Sequence, residues 1–99
     1  MDDEVVWTRV DGARTTIGIR PAVVAVKRVT FLELLGTGKK IRRNGAIGLV
    51  QFERGREIEI TSPIAGTIVE INEAVNCVDD PAIVNDDPEG AGWLVVLAT

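Results

Sequence analysis

Glu53-Arg54-Gly55-Arg56-Glu57-Ile58-Glu59-Ile60-Thr61 is the stretch on which the fold turns. From Arg56 to Thr61 polar and apolar residues alternate with period two, the mark of a strand with one buried face. Ile58 and Ile60 are expected to point inward, Glu57 and Glu59 toward water. On the other side, Ala46 to Phe52 runs up as a second strand. Between the two stands a near-palindrome, Glu53-Arg54-Gly55-Arg56-Glu57, centred on a glycine. Glycine reaches positive φ without steric penalty, so Gly55 suits the apex of a tight turn. Ser62-Pro63 ends the hairpin, because proline cannot donate to a ladder.

Outward from this hairpin the chain reads as more short strands with turn signals at close intervals. Val5 to Val10 and Thr15 to Ile19 flank a turn at Asp11-Gly12. Pro21 to Ala25 reads as one helical turn with proline at an early position. Val29 to Leu35 and Lys39 to Arg42 read as strands, and Asn44-Gly45 as a turn. Gly66 to Ile71 is a strand, Pro81 to Val84 a possible helical turn, and Trp93 to Leu97 the closing strand. Trp93 is expected to cover one end of the core. Many strands with one or two short helices predict a mostly β barrel or sandwich. An internal echo, Thr37-Gly38 to Asn44-Gly45 against Ser62-Pro63 to Gly66, suggests two related halves.

Composition narrows the function. The 99 residues suit one domain spanning 1–99, able to bury roughly two-thirds of its surface. An apolar share of 45% argues for a folded chain. No run approaches the roughly 20 apolar residues of a membrane helix, and the acidic start Met1-Asp2-Asp3-Glu4 is unlike a secretory signal. A cytoplasmic location without membrane contact is therefore expected. Cys77 is the only cysteine, which removes an internal disulfide; it reads as a small buried hydrophobe. There is no histidine, the usual neutral-pH general base. No hydroxyl has a base implied beside it, and Glu57 and Glu59 face solvent, so no enzyme is predicted.

All eleven Lys and Arg fall between Arg9 and Arg56, while Glu57 onward carries nine acidic residues and no basic one. Lys39-Lys40-Ile41-Arg42-Arg43 reads as a solvated hairpin shoulder. Without stacking aromatics nearby, and with a net charge of −4, nucleic-acid binding is not expected. Asn85-Asp86-Asp87-Pro88-Glu89-Gly90 with Asp79 and Asp80 lacks calcium-loop spacing and reads as turn chemistry, so no metal site is predicted.

Four stretches resemble one family: Thr16 to Ile19, Thr61 to Ala74, Pro81 to Asn85 and Asp86 to Leu94. Together they look like the H protein of the glycine cleavage system, a lipoyl carrier. The resemblance implies a barrel-sandwich hybrid, the flattened two-half β-barrel of lipoyl and biotinyl domains, with the Gly55 turn at one end. Counting back from Ser62-Pro63 without a gap, the lysine that holds the family's lipoyl arm falls on Gly55. Lipoyl attachment needs an ε-amine. Glycine has no side chain, and the Arg54 and Arg56 guanidiniums stay protonated and are poor nucleophiles. Lys27, Lys39 and Lys40 are the other lysines, and none has the family's neighbourhood.

The expected role is accordingly an H-protein-like module without a lipoyl cofactor that binds protein partners, such as enzymes handling lipoyl carriers, or acts as a regulator. Two alternatives stay open. One is a working aminomethyl carrier lipoylated on an unusual lysine. The other is a small-anion binding module in which Arg54 and Arg56, two apart on an extended chain, grip a carboxylate or phosphate from one face. In the last case Glu53 and Glu57 compete, because they can neutralise the arginines across the hairpin. The candidate contact residues are thus Glu53, Arg54, Arg56 and Glu57 around Gly55.

Overall fold

A computed structural model describes residues 5–99; the acidic lead Met1–Glu4 lies outside the described residues. Eight strands and two short helices follow in the order β1 Val6–Asp11, β2 Arg14–Ile19, α1 Pro21–Val26, β3 Val29–Leu34, β4 Lys40–Ile41, β5 Ala46–Phe52, β6 Glu57–Thr61, β7 Gly66–Ile71, α2 Ala82–Asp86 and β8 Val95–Ala98. They form a five-stranded sheet, β1-β2-β8-β7-β4, and a three-stranded sheet, β3-β5-β6. All the strand pairs are antiparallel. The expected mostly β, flattened two-sheet architecture is present, with the sheets separate rather than closed into one cylinder.

One apolar core lies between the sheets. Ile17, Ile19 and Leu97 reach it from the larger sheet, and Leu32, Val50 and Ile60 from the smaller, all fully buried. The period-two reading of β6 holds: Ile60 is buried, Ile58 packs half-buried against the core, and Glu57 and Glu59 are exposed. Burying an aliphatic side chain of this size stabilises by about 1.5–3 kcal/mol, which fixes the phase of the strand.

The two echoed segments are partners of each other. Lys40 pairs Thr67 and Ile41 pairs Gly66. Asn44 N–H donates to Ser62 C=O at 2.6 Å, and Ser62 N–H to Gly45 C=O at 2.9 Å. The ladder continues as β5 against β6, from Ala46 opposite Thr61 to Gln51 opposite Glu57. A register shift between Ala46 and Gly48 leaves Ile47 as the extra residue, fully buried. Such a bulge bends and twists a ribbon, which here passes from one sheet to the other. At Gly48 a side chain is excluded: a Cβ would stand 2.6 Å from the Glu33 carbonyl oxygen.

The expected turn after β4 is present, with Asn44 at positive φ (68°) and Gly45 N–H donating to Arg42 C=O at 2.8 Å. Other local expectations are corrected. The closing strand starts at Val95; Leu94 is the buried residue at that end and Trp93 is half-buried. Trp7 ties the Asp86–Trp93 loop down, donating from Nε1 to the Pro88 carbonyl at 2.9 Å. Cys77 is exposed, not buried. It sits in the segment that covers the edge of β3, where its N–H donates to Leu32 C=O at 2.7 Å and its φ is 57°. That contact belongs to its backbone, so the thiol is left at the surface.

Candidate functional site: the hairpin tip and the end of the first helix

β5 ends at Phe52, a tight turn spans Glu53–Gly55, and the chain returns through Arg56 into β6. Arg54 and Gly55 both have positive φ, 69° and 77°. Phe52 N–H donates to Arg56 C=O at 2.6 Å and closes the turn. Glu53 N–H donates to Arg28 C=O at 2.9 Å, so the turn is also pinned to the link between α1 and β3. All five residues from Glu53 to Glu57 are exposed. A Cβ built on Gly55 meets nothing within 4 Å.

The extended geometry expected to put Arg54 and Arg56 on one face is absent, because Arg54 is left-handed. The two are nonetheless brought together by the bend: both border one open depression of about 400 Å³, with Val26, Lys27 and Glu53. No Glu53 or Glu57 carboxylate oxygen approaches within 4 Å of the Arg54 or Arg56 guanidinium, so direct neutralisation across the hairpin is not found. Among the described residues the ion pair present is Arg28 with Asp80, at 3.7 Å and largely exposed, a type of contact that contributes about 0–1 kcal/mol.

Lys27 was not legible as part of this site. It caps the C-terminus of α1, and its N–H donates to Val23 C=O at 3.0 Å. Its Nζ lies 6.0 Å from the Phe52 ring centroid. A second groove, about 320 Å³ and mostly apolar, opens beside the first; its walls include Ala22, Val23, Phe52 and Ile58, with Lys27 and Arg56 again at the rim. The long-range approach of α1 to the hairpin produces this grouping, and no local sequence pattern announces it.

The other candidates lie elsewhere. Lys39 and Lys40 stand at β4 in the larger sheet, exposed with Arg42 and Arg43 on a solvated shoulder around buried Ile41. In the acidic loop Asp87 works as a turn residue, its carboxylate accepting from Ala91 N–H at 3.0 Å and its carbonyl from Gly92 N–H at 2.9 Å. Among the described residues no three metal-ligating side chains gather, and no helix is long and apolar enough to cross a membrane.

These features define a two-sheet β domain with an exposed hairpin turn. The fold superposes on the crystal structure of a glycine cleavage system H protein from Mycobacterium marinum with a TM-score of 0.83 and 29% identity, covering 96% of this chain and 78% of that one. The family model described as Glycine cleavage H-protein matches residues 1–99. The glycine cleavage system H protein of Carboxydothermus hydrogenoformans is 34% identical over 90 residues, 90% of this chain and 67% of the relative. That of Geobacillus thermodenitrificans is 37% identical over 92 residues, 92% and 70% respectively. The chain belongs to the glycine cleavage H-protein family. Membership agrees with the sequence reading that assigned it no enzymatic activity.

Proposed function

We propose that residues 1–99 form a single H-protein-like domain that carries no lipoyl arm and acts in the cytoplasm by binding protein partners, among them enzymes that handle lipoyl carriers. The observation that carries this reading is the residue at the hairpin apex. Gly55 is exposed, takes φ of 77° and offers no amine, in the position where a gap-free count from Ser62-Pro63 puts the lipoyl lysine. A tethered cofactor supplies the chemistry while the protein supplies its position. Lys39 and Lys40 are on the larger sheet, and Lys27 is held at the end of α1 over Phe52.

The test is intact-mass measurement of the chain produced in cells supplied with lipoate, beside the Gly55→Lys variant. The unaltered chain is expected to stay unmodified and the variant to gain one lipoyl group. A lipoyl adduct on the unaltered chain overturns the reading. Family membership favours one rival, an aminomethyl carrier lipoylated elsewhere; replacing Lys27, Lys39 and Lys40 singly would then locate the adduct and abolish it.

A further inference from the structure

We propose that the outer face of the β3-β5-β6 sheet is a self-association surface, on which a second copy of this chain docks about a twofold axis. Leu49 stands in the middle of that face. It pairs Glu33 on one side and Glu59 on the other, so the three form one cross-strand row. Their strand neighbours Leu32, Leu34, Val50 and Ile60 are buried, which turns the row's own side chains outward. Leu35 continues the face, its N–H donating to Ile47 C=O at 3.0 Å. Leu35 and Leu49 stay 37% and 36% exposed, with Glu33 and Glu59 in water beside them. Together with Ala46 and Gly48 these residues line an open groove of about 370 Å³. Directly before Ala46 in the chain is the Arg42–Gly45 turn, on which Arg42 and Arg43 are both exposed.

The surface thus runs from carboxylates, through exposed leucines, to arginines. Within the described residues, none of Glu33, Glu59, Arg42 and Arg43 has an oppositely charged group within 4 Å. Such an order is self-complementary. A twofold axis lying along the face, between the Leu49 row and the arginine turn, sets Glu33 and Glu59 of each copy toward Arg42 and Arg43 of the other. The same rotation brings the leucines of the two copies together and removes them from water. A wholly basic partner would satisfy the carboxylates and repel the arginines. A wholly apolar one would strip water from both without replacing it. A second copy meets each charge with its opposite. A face of three strands is at the small end of specific interfaces, so the dimer is expected to be weak, with a Kd on the order of 100 μM.

Sedimentation equilibrium of the full chain, from about 10 μM to about 1 mM, reads the association. The mass is expected to rise toward that of a dimer, and amide NMR shifts that follow concentration are expected to centre on Glu33, Leu35, Leu49 and Glu59. Raising the salt from about 0.05 M to about 0.5 M is expected to weaken the dimer about tenfold, because exposed charges are screened. The decisive measurement is a charge swap. The double variant Glu33→Lys, Glu59→Lys is expected to be monomeric, and so is Arg42→Glu, Arg43→Glu. An equimolar mixture of the two is expected to dimerise as tightly as the unaltered chain, since every contact again joins opposite charges. Leu49→Lys, a single exposed change at the centre of the face, is expected to abolish association by itself. A chain that stays monomeric up to about 1 mM overturns the proposal. So does a dimer indifferent to Leu49→Lys and to both charge reversals, or a mixture of the two reversed chains that keep their native spectra and fail to associate.

Discussion

Asn85 and Val29 hold each other through two hydrogen bonds of equal length: Val29 N–H donates to Asn85 Oδ1 at 2.9 Å, and Asn85 Nδ2 donates to Val29 C=O at 2.9 Å. One side-chain amide thus stands in for a rung of sheet and docks α2 against the start of β3. Val29 is fully buried, so its backbone has no water to fall back on. Asn85→Ala is expected to destabilise the fold by about 2–4 kcal/mol, since both Val29 groups lose their partner. Asn85→Asp keeps the acceptor but sets a carboxylate oxygen against a carbonyl, and should recover less than half of that loss. Urea unfolding measures both; an alanine loss under about 0.5 kcal/mol would show that the pair is not a structural anchor.

Gly48 stands opposite Leu34 in the β3–β5 ladder. A Cβ there meets the Glu33 carbonyl oxygen at 2.6 Å and Leu34 Cα at 3.1 Å, and backbone yields less readily than a side-chain tip. Gly48→Ala is expected to lower stability by about 1–3 kcal/mol. Gly36→Ala is the control: nothing lies within 4 Å of its Cβ, and its effect should stay within about 0.5 kcal/mol. Equal denaturation midpoints for the two variants would contradict the packing described.

Asn72, 7% exposed, donates from Nδ2 to the carbonyls of Ala91 and Trp93, each at 2.8 Å, and accepts from Ala74 N–H at 3.2 Å. It binds the end of β7 to the chain leading into β8. Asn72→Ala is expected to remove about 2–3 kcal/mol and to speed hydrogen exchange selectively around residues 90–94. Exchange rising evenly over the whole molecule instead would mean that the clamp is not local.

Gly55→Ala isolates the conformation of the tip. With no neighbour to meet, its effect comes from placing a Cβ at φ of 77°, and should amount to about 1 kcal/mol. A loss above about 3 kcal/mol would reveal a packing role that the geometry does not contain.

Cys77, exposed among the described residues, should react with an aromatic disulfide reagent in the native state, at one equivalent and without denaturant. Labelling that requires unfolding would place the thiol inside.

The β6 strand was readable because alternation is a local signal: Ile58 and Ile60 against Glu57 and Glu59 admit one phase only. The turn at Gly55 was readable for the same reason. Cys77 was misplaced because a single residue has no period, and its exposure follows from a backbone contact with Leu32, 45 positions away in sequence. The expected shared face of Arg54 and Arg56 assumed a β conformation, whereas two successive left-handed residues make the bend. Lys27 entered the site through tertiary approach alone. The Asn72 and Asn85 clamps were equally invisible, since a buried amide and a solvated one are spelled alike.

The empty surroundings of Gly55 carry a last implication. Because the core packs nothing against the point where a side chain would stand, the cost of a replacement there is set by the left-handed backbone of the turn and not by the interior. Scaffold and apex are then separate characters under selection: mutation at the apex can add or remove reactivity while the frame that presents it drifts at its own pace.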